Sequence, residues 1–506
     1  MIYMLYHGYV DIYVWEYFLS AFYIIGLYIW FSRLKNINIK QHPEYKYFLW
    51  GFLAKVVGGM VFALVYFYHY QGGDSVMYFY SAVSTTKLAT SRPLDYFGVM
   101  FGDNTLDNWE RFDLDTGYPY QYVFLDPRTW MVIRLLSPLV FLAFKSYLVT
   151  TVMLASMAYV GVWRCFRMFV GYFPAMTGKF ALAFLFVPSV IFWGSGVGKD
   201  TFTFSGTCFF VYAVDQWFFK RTRSFATIFG GLASAALVIY IKPYIFMALV
   251  PSMLLWVLYS RITGIRNTLI KFVVVPFAFM LLVGGTIGIL SGLGENLGKF
   301  SLDNAITTAM ITNSDMTRNS DYSSNYFDIG EMDGTWSGLL SKAPTAIFAA
   351  LFRPRLDEAR NVVMLISGLE NAWLLWLVFG TLVSGRVVFV PRFIFGNPIV
   401  LMCLSFSVVF GFVIGISTPN FGALVRFKIP MLPFFISSLV LIRYIAQLDR
   451  RAREHNKRLD LRSIRSGTAH LTEEEDILPP RARRRPRPRP RQDEQPGTDG
   501  AFTVAP

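Results

Sequence analysis

Residues 398–416 read Pro-Ile-Val-Leu-Met-Cys-Leu-Ser-Phe-Ser-Val-Val-Phe-Gly-Phe-Val-Ile-Gly-Ile, a run without one charged side chain. A helix rises ~1.5 Å per residue, so such a run is long enough to cross the ~30 Å hydrocarbon layer of a bilayer. Comparable runs lie near 11–32, 48–70, 146–163, 180–196, 201–219, 225–241, 243–260, 272–291, 364–383 and 429–446. Together they predict an all-α, polytopic transmembrane helical bundle of about eleven spans. Composition agrees. The 506-residue chain is 54% hydrophobic and 18% aromatic, and only 16% of it is charged, against ~25% in ordinary soluble proteins.

Charge between the runs sets the expected orientation. The connections after odd-numbered spans carry Arg33, Lys35, Lys40 and Lys46, then Arg164 and Arg167, Lys220, Arg221 and Arg223, Arg261, Arg266 and Lys271, and Arg386 and Arg392. Basic loops stay in the cytoplasm, which puts the N-terminus outside and the C-terminus inside. The opposite loops are acidic: residues 71–130 hold eight Asp or Glu against four Lys or Arg. The run 131–144 is interrupted by Arg134 and Pro138 and is too short to span. It reads as a helix at the outer interface or dipping into the membrane, and 343–352 reads as a second short interfacial element. Residues 1–446 thus form the expected transmembrane domain, with outer loops 71–145 and 292–363.

After Gln447 the chain becomes charged, and Arg481 to Arg491 alternates arginine with proline. Such a segment cannot bury a core and reads as a disordered cytoplasmic tail over 447–506, attracted to anionic lipid or docking a cytoplasmic partner. The excess positive charge, +14 overall, lies in short loops and this tail, so it does not point to nucleic acid. Cys165, Cys208 and Cys403 fall in or beside apolar runs and make no disulfide framework. The first apolar stretch lacks a preceding Lys or Arg and reads as a retained span rather than a signal peptide.

The polar residues gather at the tips of the acidic side. Gly72-Gly73-Asp74 leaves the second span, and the glycines let the chain turn sharply and hold a carboxylate at the surface, with Tyr78 one helical turn on. Asp74 could act as a general base or bind a metal with a diphosphate; a plain turn and helix start is the competing reading. Trp193-Gly-Ser-Gly-Val-Gly-Lys-Asp-Thr201 forms a hairpin tip where amides beside Lys199 could seat a phosphate, with Asp200 either binding substrate or capping the next helix. Lys242-Pro243-Tyr244 is a third tip. Arg353 and, two turns inside the ninth span, Glu370 form a fourth, where Glu370 is expected to pair with Arg353 or Lys242. The fifth, Thr418 to Lys428, contains Asn420 and Arg426. Lys199, Lys242, Arg353, Arg426 and Lys428 all stand where positive-inside bias disfavours cations, which suggests an anionic ligand on that face.

The Gly-Gly-Asp motif of the first large outer loop, the Gly-Lys-Asp hairpin, Leu351-Phe-Arg-Pro354, and Asn420-Phe-Gly-Ala-Leu-Val-Arg-Phe-Lys-Ile-Pro-Met-Leu-Pro433 resemble bacterial polysaccharide polymerases of the Wzy and EpsG type and the wider GT-C membrane glycosyltransferases. The resemblance covers most of residues 50–440 in layout, through short motifs. It implies an outer acidic base, mapping onto Asp74, and arginines on the phosphate, mapping onto Arg426 and Arg353. GT-C enzymes commonly carry the acid after the first span; here it follows the second, which favours a polymerase. The expectation is an enzyme of the bacterial cytoplasmic membrane that joins polyprenyl-linked sugar units on the outer face. Its catalytic residue would be Asp74, and its substrate-binding residues Lys199, Asp200, Lys242, Tyr244, Arg353, Glu370, Asn420 and Arg426. No metal is assigned. The rival is a transporter or flippase for a lipid-linked or anionic solute, which the lack of an internal repeat and of mid-membrane charge other than Glu370 disfavours.

Overall fold

The computed structural model describes residues 11–222, 224–263 and 335–465, with isolated positions 280, 284, 285, 307, 310, 311 and 327 between them. The expected span 272–291, most of the outer loop 292–363 and the tail beyond 465 lie outside the described residues. Among the described residues the elements are helical and there is no strand. Helix α1 is Val14–Asn38; α2, Phe48–Leu64, continues as a π turn, Val65–His69; α3 is Asp74–Ser91, α4 Pro127–Leu142 and α5 Tyr147–Tyr172. Then follow α6, Lys199–Asp215, which ends in a π turn, Gln216–Lys220; α7, Phe225–Ile241; α8, Pro243–Thr263; α9, Ala343–Phe352; α10, Val362–Gly385; α11, Pro398–Ser417; α12, Phe421–Phe427; and α13, Leu432–Arg465.

Among the described residues, seven stretches are long and apolar enough to cross a membrane: Val14–Asn38, Pro43–His69, Tyr147–Tyr172, Pro243–Ile262, Val362–Gly385, Pro398–Ser417 and Leu432–His455. The chain is therefore a multi-pass membrane protein. Three further expected runs are helical in other forms. The run 180–196 is broken at Val187, whose backbone is extended (φ −69°, ψ 125°) in front of Pro188, as the ring of a following proline demands. Residues 201–219 lie in α6 and its π turn, and 225–241 coincide with α7, a helix of 17 residues.

Small residues let the helices approach closely where no hydrophobic force separates lipid from protein. A Cβ at Gly161 of α5 would lie 2.4 Å from the Ser205 carbonyl of α6, and one at Gly415 of α11 would lie 2.1 Å from the Ala346 carbonyl of α9. One turn away, Gly411 faces the Ala350 methyl at an ordinary 3.7 Å. Helix α9, the expected short interfacial element, thus lies flat against α11. Helix α1 is tied to α5 by a buried carboxylate: Glu16 accepts from Ser146 Oγ (2.6 Å) and the Tyr147 amide (3.0 Å).

Residues 74–142 make more than a loop. Phe79, Phe112, Phe124, Trp130, Ile133 and Leu136 form a core of their own. The short run expected over 131–144 belongs to α4, which starts at Asp126–Pro127, with the Thr129 amide donating to the Asp126 carboxylate at 3.2 Å. Its two interruptions are absorbed. Arg134 donates to the Gly102 carbonyl, Pro138 sits within the helix without ending it, and the Thr86 hydroxyl of α3 donates to the Ser137 carbonyl at 3.1 Å. By contacts the chain divides into Met1–Gln447 and Leu448–Pro506.

Candidate active site

The chain leaves α2 through three consecutive residues with positive φ, Gln71 (50°), Gly72 (154°) and Gly73 (88°). Only glycine takes the last two without steric cost. That turn delivers Asp74 as the first residue of α3, where a carboxylate suits the positive end of the helix dipole. Tyr78 follows one turn on, as expected. Asp74 Oδ2 accepts from Arg426 Nη1 at 2.9 Å.

Arg426 stands in the last turn of α12, whose start is fixed by Asn420 Oδ1 accepting from the Ala423 amide at 3.0 Å. Its Nε donates to Oδ2 of Asp200, the second residue of α6. The other oxygen of Asp200 accepts from Lys242 Nζ at 2.5 Å, and Lys242 occupies the corner between α7 and α8, held extended by Pro243. Two carboxylates and two cations from four separate segments therefore form one chain, Asp74–Arg426–Asp200–Lys242. Asp200 does not cap α6; it is the anion around which the others assemble.

Exposure falls steeply along that chain. The Asp200 and Lys242 side chains are 5% and 7% exposed, Arg426 17%, and Asp74 44%. Buried ions are tolerated when paired and hydrogen-bonded, and here the charges cancel. Asp74 alone has an open oxygen: among the described residues no donor reaches its Oδ1.

Lys199 lies beside this chain, 6.0 Å above the Tyr78 ring, and its Nζ donates to Thr129 Oγ1 at 2.6 Å and lies 3.6 Å from Asp126. Burial raises the Asp126 carboxyl, but hydrogen bonds from Thr129 and the Lys199 charge outweigh it and hold the group below the ordinary carboxylate value. Tyr244 flanks the cluster, with Lys242 Nζ 6.0 Å from its ring and Phe410 stacked upon it at 6.1 Å.

The glycine hairpin is packed rather than cradle-shaped. A Cβ at Gly196 would strike the Phe62 ring at 2.0 Å, the Gly194 carbonyl accepts from buried Lys55 of α2, and Thr201 Oγ1 donates to the Gly196 carbonyl at 2.6 Å. These glycines answer to packing.

Arg353, Glu370 and Asn420 are engaged elsewhere. Glu370 does not pair with Arg353 or Lys242: it accepts from the Ser189 amide (2.9 Å) and hydroxyl (2.5 Å), because the break at Pro188 presents a fresh helix start to it. Arg353 donates through Nε to Glu358 at 2.8 Å and lies 5.6 Å from the Phe421 ring. Lys428 donates to Asn371, whose amide donates to the Pro354 carbonyl at 2.8 Å. The five cations expected to face outward thus all have partners, four of them carboxylates. The expected surplus of bare positive charge is not there.

Sequence reading missed Asp126 and Thr129, although Asp-Pro-Arg-Thr is a helix-start signature. It also missed Lys55, a single charge inside an apolar run. In comparisons with known proteins, no family model, no curated protein and no solved structure matches this chain.

Proposed function

We propose that the chain is an enzyme of the bacterial cytoplasmic membrane that joins polyprenyl-linked sugar units on the outer face, with Asp74 as its general base. The bundle would have about eleven spans, its N-terminus outside and its basic loops inside. The observation that carries the reading is the asymmetry of the ion chain: Asp200 and Lys242 are buried, Arg426 is largely covered and all three are mutually satisfied, while Asp74 offers one solvent-reachable oxygen, unpaired among the described residues, on a carboxylate that Arg426 holds in place. A base needs this combination of fixed orientation and open access.

In the proposed step Asp74 Oδ1 takes the proton of the acceptor hydroxyl as its oxygen bonds to the anomeric carbon of the donor sugar. The bond from that carbon to the diphosphate oxygen breaks, and the electron pair leaves with the polyprenyl diphosphate. Lys199, hydrogen-bonded to Thr129 and 3.6 Å from half-exposed Asp126, is the cation that would exchange these contacts for the departing phosphate. Resemblance to the Wzy, EpsG and GT-C enzymes supplies the substrate class.

Asp74→Asn should reduce polymer yield about 10²–10⁴-fold, the usual contribution of a general base, in protein inserted at normal levels; unchanged polymer length and yield would sink the assignment. A transporter or flippase is the second reading, and buried Lys55 favours it, since an amine at membrane depth that meets the Gly194 carbonyl and the Phe204 ring but, among the described residues, no carboxylate can mark a solute path. The lipid-linked species that accumulates without the gene separates the two: outward-facing single units for a polymerase, cytoplasm-facing units for a flippase.

A further inference from the structure

Helix α6 and its π turn run twenty residues on from Asp200 to Lys220, about 30 Å, so their far end is a membrane thickness from the Asp74 chain. There a cleft of about 430 Å³ opens between His42–Glu44, the last turns of α5 and the turn Gln216–Lys220, and Arg164, Arg167 and Lys220 line it.

Its pairing differs from that of the Asp74 end. Arg167 Nε donates to Glu44 at 2.9 Å, and Asp215 accepts from the Tyr172 hydroxyl at 2.6 Å, so both lining acids are occupied. Arg164 reaches only Tyr212, its Nη1 3.4 Å from the hydroxyl and its guanidinium 5.6 Å from the ring. Lys220 lies 4.7 Å over the Tyr172 ring. Among the described residues neither forms an ion pair. A second cleft, about 440 Å³, is lined by Trp217, Phe218, Arg221 and Arg261, so the π turn and the Arg221 that follows it contribute one cation to each cleft.

Two exposed cations outside salt-bridge distance of any described acid, each laid over a tyrosine, are suited to a tetrahedral oxyanion, with Asp215 the lining carboxylate that feels the Lys220 charge. A guanidinium offers a fork to two of its oxygens, an ammonium adds a point charge, and the rings pack against the ester or glycerol carbons. We propose that Arg164 and Lys220 bind a phosphate group in this cleft, carried either by the headgroup of an anionic phospholipid or by free phosphate. The site lies apart from the Asp74 chain and does not depend on the activity assigned to it.

The test uses the purified full-length protein in detergent, with native mass spectrometry to count bound phosphatidylglycerol against phosphatidylcholine, and a separate titration with inorganic phosphate. Wild type should retain phosphatidylglycerol, and the double variant Arg164→Ala/Lys220→Ala should weaken that retention about tenfold, as expected for the loss of two charge-assisted contacts. The basic tail is common to both proteins, so the difference reports the cleft. Preference for phosphatidylglycerol without an effect of inorganic phosphate assigns the lipid; displacement by millimolar phosphate assigns the free ion. Equal phosphatidylglycerol and phosphate binding by wild type and double variant overturns the proposal. If the double variant does not fold, Arg164→Gln, at an exposed position, is read by the same criterion.

Discussion

Arg426 divides its guanidinium between two carboxylates of different exposure, and each carboxylate should respond differently to neutralisation. Asp200→Asn strands Lys242 and half of Arg426 in the interior, and losing one partner of a buried pair costs about 3–5 kcal/mol. Thermal unfolding in detergent should show a clear drop. Asp74→Asn removes a half-exposed contact worth about 0–1 kcal/mol, so its melting curve should stay close to wild type while polymer synthesis falls. Equal destabilisation by both variants would make Asp74 another structural ion. The sequence signals reached this far: Lys199, Lys242 and Arg426 stood out because they oppose the charge bias, and Asp74 because two glycines precede it. The bridging role of Asp200 was hidden, since the partner that defines it is 226 residues away and spacing along a chain carries no distance between helices.

At the scale of elements, the crossing of α9 and α11 depends on a position with no room for a side chain. Gly415→Leu should drive the helices apart and cost about 1–3 kcal/mol, whereas Gly411→Ala, facing a methyl at van der Waals distance, should be tolerated; thermal stability of the two variants measures the contrast. Long apolar runs such as 398–416 were readable because length and hydropathy suffice to define them. The break in 180–196 was less so, as averaged hydropathy conceals what Pro188 imposes on Val187. The layer of α3 and α4 was read largely as loop because its apolar residues face one another across a small core and never form a membrane-length run.

For the whole molecule, sidedness is open to direct measurement. Cys165, Cys208 and Cys403 are free and buried, so an introduced thiol should label over a low background. Leu114→Cys, at a position 91% exposed, should react with a membrane-impermeant maleimide in intact cells, and Thr222→Cys only after permeabilisation. Labelling of both from one side would break the proposed alternation of loops. Deleting the residues after 466 should leave polymer synthesis largely intact; its loss would instead favour a scaffold that recruits partners through the tail. The ion chain also imposes an order on synthesis. Asp74 leaves the ribosome 352 residues ahead of Arg426, which at ~5–20 residues per second means tens of seconds. Throughout that interval Asp74 has no guanidinium at all, and from the synthesis of Lys242 onward Asp200 has only that lysine to balance it, so a nascent chain halted before α12 carries an unclosed circuit of charge, a mark by which membrane quality control could tell an unfinished protein from a complete one.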